Sequence, residues 1–254
     1  MIKYIAGFFD ADGSILLKWW KQNSYYRFTL QIEFSQHKSR SHILKEIQEY
    51  FGFGILRDKL IKNKYEASIL TFTGDEALRV AERIHKHSVI KGDYTRYLID
   101  VYRNMRGRFT NEKKKTLETS RKAKRKELNS KIFNYPSNKW FAGYVDGDGS
   151  LMCNRNNLKN LYRFRLDITS AIWDKEGVDL LHKVLGGSLT LSKKGHYILR
   201  INLDRPKIDK VLKPLAKHCK LKNYHAQVMI ESLRKGKITE QTNFLIKALN
   251  TRND

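Results

Sequence analysis

Residues 4–15 and 140–151 spell nearly the same sequence, YIAGFFDADGSI and WFAGYVDGDGSL. In each, an apolar run with an Ala-Gly pair leads into Asp-x-Asp-Gly-Ser and a new apolar stretch. One copy could be chance, but two in one chain mark a duplicated unit. Whatever fold this chain adopts must place a pair of acidic groups twice.

The duplication runs past the motif. Ile15, Leu17 and Trp19 alternate, a turn falls near Gln22–Ser24, and alternation resumes. Tyr26, Phe28, Leu30, Ile32 and Phe34 share one face, with Arg27, Thr29, Gln31 and Glu33 on the other, the period of a half-buried strand. Ile43, Leu44, Ile47, Tyr50 and Phe51 follow a helical period that stops at Gly52. A second hairpin is expected over 55–59 and 65–72, then helices near 75–86 and 93–105. In the second half, Tyr162, Phe164, Leu166 and Ile168 face away from Arg163, Arg165, Asp167 and Thr169. A helix near 174–185, a hairpin over 189–203 and helices near 207–217 and 223–235 follow. A short helix is expected over 239–249. The pairs Gly52/Gly186 and Lys91/Lys222 keep nearly the offset of the motif. The expected organisation is a first domain over 1–105, a basic linker over 106–137 and a second domain over 138–254. The class is α+β, with strands paired locally as hairpins.

A chain of 254 residues can bury two modest cores, and 41% hydrophobic composition is that of a folding sequence. Fifty Lys and Arg against 26 Asp and Glu leave a net charge of +24. An excess of this size repels itself, and a polyanion partner offsets it; nucleic acid is the commonest. The linker, with KKK at 113–115 and RKAKRK at 121–126, reads as a solvated segment that also tracks phosphates. No basic amphipathic helix with apolar anchors stands out, and no apolar run approaches the roughly 20 residues that span a bilayer. Without a signal-peptide layout the chain is expected inside the cell, in the cytoplasm of a prokaryote or in an organelle. Cys153 and Cys219 form no CxxC pattern, which argues against a disulfide framework or a zinc site.

The motif itself reads as a short apolar helix over Tyr4–Ala11, with Gly13 at the left-handed position beyond its end. Ala6-Gly7 and Ala142-Gly143 remove bulk where another helix could approach, so the two motif helices are expected to pack together and to gather Asp12 and Asp148. Carboxylates at a helix C-terminus face its negative end. A hard divalent cation resolves that conflict, and paired cations can hydrolyse a phosphodiester. A calcium loop of the EF-hand type is excluded. With Gly13 at its sixth position, Phe8 and Trp19 stand where Asp and Glu are required, and the second copy offers Tyr144 and Arg155.

On these motifs and the order of elements behind them, the chain resembles the LAGLIDADG homing endonucleases, in their monomeric two-motif branch. The resemblance implies two tandem αββαββα domains in a DNA-binding saddle with pseudo-twofold symmetry. It implies a site-specific endonuclease, intron-encoded, that cuts both strands of a long non-palindromic site across the minor groove and leaves short 3′ overhangs. The cofactor it implies is Mg²⁺, with Mn²⁺ as a substitute and Ca²⁺ as an ion that binds without supporting cleavage. An RNA maturase on the same scaffold is the alternative. By resemblance Asp12 and Asp148 are catalytic metal ligands, with the carbonyls of Ala11 and Gly147. Asp10 and Asp146 are structural, bonded to nearby backbone. Lys91, Lys222 and Gln36 are catalytic as well by resemblance: the lysines lie near the scissile phosphates, and Gln36 positions water, with Ser170 in its place in the second half. The implied partner is double-stranded DNA, bound by a monomer. A two-stranded ribbon fits the major groove, so the expected contacts are Arg27, Thr29, Gln31, Glu33, Arg57 and Lys59, then Arg163, Arg165, Asp167 and Arg200. Of Trp19 and Trp20, one is expected in the core and the other exposed.

Overall fold

The computed structural model describes residues 1–61, 65–105, 107–128, 137–156, 161–171, 175–236 and 238–250. The chain divides into two compact units, Met1–Phe133 and Asn134–Asp254.

In the first unit, helix α1 (Ile2–Asp12) runs without a connector into strand β1 (Gly13–Gln22). Its apolar run has no polar stripe, and Tyr4, Ile5, Ala6, Gly7, Phe8, Phe9 and Asp10 are all buried. Gly13 is not left-handed: it is extended, with φ −84° and ψ 153°. Glycine is required by space instead, since a Cβ there would lie 2.3 Å from Phe9 Cδ2 and 2.7 Å from the Phe9 carbonyl oxygen. Gly149 repeats this: it is extended at φ −89°, and a Cβ there would lie 2.7 Å from the Val145 carbonyl oxygen.

β1 pairs antiparallel with β2 (Tyr25–His37), and β4 (Tyr65–Thr73) lies between β2 and β3 (Ile55–Ile61), giving the order β1-β2-β4-β3. Leu30, Ile32 and Phe34 of β2 with Leu70 and Phe72 of β4 form the inner face, all fully buried. Helices α2 (His42–Phe51) and α3 (Asp75–Ile84) cover it with α1. Each such side chain contributes about 1.5–3 kcal/mol by leaving water. Helix α2 does end in a left-handed glycine, Gly52 at φ 80°. Helix α4 spans Gly92–Asn104.

The segment expected as a linker holds an 18-residue helix, α5 (Asn111–Leu128). Its composition is that of a solvated run, but it is docked. Phe109 ahead of it exchanges backbone hydrogen bonds with Tyr26 at 2.8 and 2.9 Å and sets its ring against Trp19 and Phe28. Leu117 is buried, Lys114 Nζ lies 4.4 Å from the Tyr26 ring centre, and Arg121 donates to the Tyr94 hydroxyl at 3.2 Å.

The second unit repeats the plan. Helix α6 (Asn138–Asp148) starts at Ser137, whose hydroxyl accepts from the Trp140 N–H, and passes directly into β5 (Gly149–Asn156). With β6 (Leu161–Ala171), β7 (Ser188–Leu191) and β8 (His196–Leu203) it forms a sheet of order β5-β6-β8-β7, and α7 (Lys175–Leu185) packs on it. The helix expected near 207–217 is a π-type turn, Ile208–Leu212, followed by α8 (Lys213–His218). Pro214, at the start of α8, lacks an N–H, so one helical hydrogen bond is missing where the π-type turn meets α8. Helix α9 spans Asn223–Lys235, and α10 (Glu240–Asn250) lies against β5 with Ile246 buried. Among the described residues no helix is long and apolar enough to cross a membrane.

Candidate functional site

The two acids of each motif stand in different surroundings. Asp10 is 2% exposed. Its carboxylate accepts from the backbone N–H groups of Val89 (2.7 Å), Ile90 (3.1 Å) and Lys91 (3.0 Å), and from the Ser88 hydroxyl (2.5 Å). These donors lead into α4, so a carboxylate of α1 caps the positive end of another helix. Lys91 closes the circuit. Its buried ammonium donates to the carbonyls of Phe9 (3.0 Å), Gly13 (2.8 Å) and Ala11 (3.4 Å), at the negative end of α1.

The second unit builds the same joint. Asp146 accepts from the N–H groups of Lys220 (2.6 Å), Leu221 (3.1 Å) and Lys222 (3.1 Å), ahead of α9. Lys222 Nζ donates to the carbonyls of Val145 (2.8 Å) and Asp146 (2.6 Å). Cys219 stands where the first unit has Ser88, its thiol 3.5 Å from the Ala142 carbonyl. Burial, and then the Asp146 charge, push that thiol up. Asp10 and Asp146 thus make the backbone bonds expected of them. The two lysines spend their charge on carbonyls, which sequence reasoning missed; the parallel strings SVIKGD and CKLKNY were the available signal.

Asp12 and Asp148, at the ends of α1 and α6, are half-buried. Gln36 reaches Asp12: its Nε2 donates to Asp12 Oδ2 at 3.3 Å while its Oε1 accepts from the His37 N–H at 2.9 Å. At the matching strand end Ser170 is buried, and its hydroxyl donates to the Ala171 carbonyl at 3.4 Å. The donors at each motif end are all oxygens: one carboxylate and the helix-end carbonyls, among them those of Ala11 and Gly147. Among the described residues no group of three or more His, Cys, Asp or Glu gathers. Zinc favours such crowded nitrogen and sulfur sets, whereas a hard cation takes one or two carboxylates, carbonyls and waters. The residues present fit a cation of the magnesium class.

The outer face of each sheet carries the polar residues. In the first unit Arg27, Thr29 and Glu33 are partly exposed, Arg57 and Lys59 are exposed, and Trp20 is 45% exposed beside them; Trp19 is the inward one of the tryptophan pair. Gln31 is an exception at 5% exposed, its Nε2 donating to Glu33 Oε1 at 2.6 Å. In the second unit Arg163 is exposed. Asp167 lies 2.7 Å from Arg165 Nε and 3.7 Å from Arg200 Nε. Burial pushes the Asp167 carboxyl above the usual carboxylate range, and the two guanidinium groups oppose that shift.

Residues 5–98 match the family model described as LAGLIDADG endonuclease. The match lies within the first unit and places that segment with the LAGLIDADG endonucleases. No curated protein matches the chain. Solved structures of the family carry the same fold along its whole length. The LAGLIDADG homing endonuclease I-GzeII, solved with its DNA target, is 16% identical, with a TM-score of 0.72 over 100% of this chain and 98% of its own. The LAGLIDADG meganuclease I-AabMI, bound to uncleaved DNA, is 15% identical, with a TM-score of 0.69 over 100% of both chains. I-SmaMI, bound to an uncleaved DNA target in the presence of calcium ions, is 17% identical, with a TM-score of 0.69 over 98% of this chain and 97% of its own. At such identities it is the fold that is shared, and the family model covers part of the first unit.

Proposed function

We propose that this chain is a site-specific DNA endonuclease that uses a divalent cation to hydrolyse phosphodiesters in both strands of its target. The observation that carries the reading is the motif joint. In each unit an acid stands where a helix passes without slack into a sheet whose outer face bears guanidinium, amide and hydroxyl groups. Two structures of the same fold, I-GzeII and I-AabMI, were solved with DNA, which supports DNA as the partner.

In each unit the motif-end acid, Asp12 or Asp148, would hold a divalent cation, Mg²⁺ by the oxygen-only donor set, with the Ala11 or Gly147 carbonyl beside it. A bound cation supplies positive charge for activating water and stabilising the leaving oxygen. Gln36 orients the Asp12 carboxylate and offers an amide to water in the first unit. Lys91 and Lys222 are positioning residues: by neutralising the negative helix end they let a carboxylate stand there. Arg27, Thr29, Arg57, Lys59, Arg163, Arg165 and Arg200 are the DNA contacts, and Gln31, buried on the same outer face, donates to Glu33.

Because the two faces differ, the target is long and asymmetric, and a monomer suffices to read it. Cleavage across the minor groove with short 3′ overhangs, and an origin in an intron, complete the proposal. The maturase alternative is not favoured, since RNA binding alone would not require both motif acids and both are intact. Asp12→Asn or Asp148→Asn should abolish double-strand cleavage of a randomised DNA library in Mg²⁺ while DNA binding persists. Full cleavage by either variant would refute the metal assignment.

A further inference from the structure

The two sheets can be aligned by register, because Gly13 pairs with Phe34 and Gly149 with Ile168. Glu33 and Asp167, each one residue before those partners, therefore occupy the same place on the outer face. Each has the same neighbours: the residue two positions earlier on its own strand, Gln31 or Arg165, and its cross-strand partner, Thr71 or Arg200. In both units the acid engages both. Glu33 Oε1 accepts from Gln31 Nε2 at 2.6 Å and from the Thr71 hydroxyl at 3.4 Å. Asp167 Oδ1 lies 2.7 Å from Arg165 Nε, and Asp167 Oδ2 lies 3.7 Å from Arg200 Nε. The chemistry of the neighbours changes between units while the arrangement persists.

An acid that reads a base must present its oxygens to the groove; the Asp167 side chain is only 12% exposed, against 31% for Arg165 and 41% for Arg200. The carboxylate takes each guanidinium at Nε and leaves the two terminal nitrogens, the pair that can fork onto guanine O6 and N7. The contacts are met off the hydrogen-bond axis, with Nε of both arginines and Asp167 Oδ1 shielded from solvent. The grip is therefore one of charge and burial, and it does not consume the forks. Two long side chains are ordered before any DNA arrives, which lowers the entropy lost on binding.

We propose that Asp167 is a specificity-determining positioning residue, which reads no base itself but holds Arg165 and Arg200 in the orientation that reads guanine. The inference rests on the proposed DNA function. The test is a selection of the full chain on a randomised double-stranded DNA library, scored both by binding and by cleavage in Mg²⁺. Wild type, Asp167→Asn, Asp167→Glu, Arg165→Ala and Arg200→Ala are compared. Asp167→Asn should lose about tenfold or more of base preference at those positions, and only those, that Arg165→Ala and Arg200→Ala lose, with the salt dependence of binding unchanged. Asp167→Glu, which keeps the charge on a longer arm, should retain part of the preference at both positions and serves as the second variant should Asp167→Asn not fold. Loss of preference at a separate position, or no loss, overturns the inference and leaves the endonuclease reading standing. A wild type that selects no sequence in either assay overturns both.

Discussion

Asp10 and Asp12 sit two residues apart on one helix and have opposite fates. Asp10 is sealed against four donors, and Asp12 is half-exposed at the tip. Asparagine at position 10 would keep the shape but set an amide donor against N–H groups and remove the charge that caps α4. Asp10→Asn, and Asp146→Asn in the second unit, should each destabilise the protein by roughly 2–4 kcal/mol in urea unfolding. Asp12→Asn should cost little stability. The cysteines give a second residue-level test. Burial pushes the Cys153 thiol up to about 11 and raises that of Cys219 as well. A thiol raised in the folded state stays protonated at neutral pH, so iodoacetamide at pH 8 should modify neither until urea unfolds the chain. The sign for stability follows: the unfolded thiols release protons first, so stability falls as pH rises from the ordinary thiol range toward about 11.

At the scale of elements, the joint between α1 and β1 is held by space and by charge. Gly13→Ala or Gly149→Ala would drive a methyl into the last helical turn, at an expected cost of about 1–3 kcal/mol, read from thermal melts. Lys91→Met should strip the α1 carbonyls of their ammonium; cleavage should drop at least tenfold while DNA affinity, measured in the same buffer, stays within threefold. A lysine that grips phosphate would instead lose affinity. Most elements were legible in the sequence because their apolar periods are unambiguous: β2, α2, β6 and α7 lie where alternation or a helical stripe puts them. Gly13 was legible as a special position but not as an extended one, since the string before it cannot distinguish a left-handed cap from a close approach by Phe9. Helix α5 was hidden by its charge, because cations that lie on Tyr26 and Tyr94 look the same in sequence as cations in water. Lys91 and Lys222 were found by offset, yet the direction of an ammonium is a tertiary fact. So is the contact of Asp167 with Arg200, which exists only through the β6–β8 register.

For the molecule as a whole, +24 of net charge is the largest single quantity. Affinity for DNA of any sequence should fall steeply with salt, with a log–log slope of several units. A flat response would remove the sheets as a phosphate-tracking surface. Such charge attracts DNA without telling the protein where to act, and the location of the acid depends on the joint. Gly13 is at once the residue after the helix and the first rung of the sheet, paired with Phe34. No hinge separates the group proposed to cut from the face proposed to read, so the motif should tolerate no change of length. One residue inserted between Asp12 and Gly13 would have to slide β1 along β2, turning each of its side chains to the other face. The same residue inserted at Asn23–Ser24, in the hairpin turn, should be absorbed. Natural chains of this design should therefore vary freely in their turns and never gain or lose a residue between the acid and the strand.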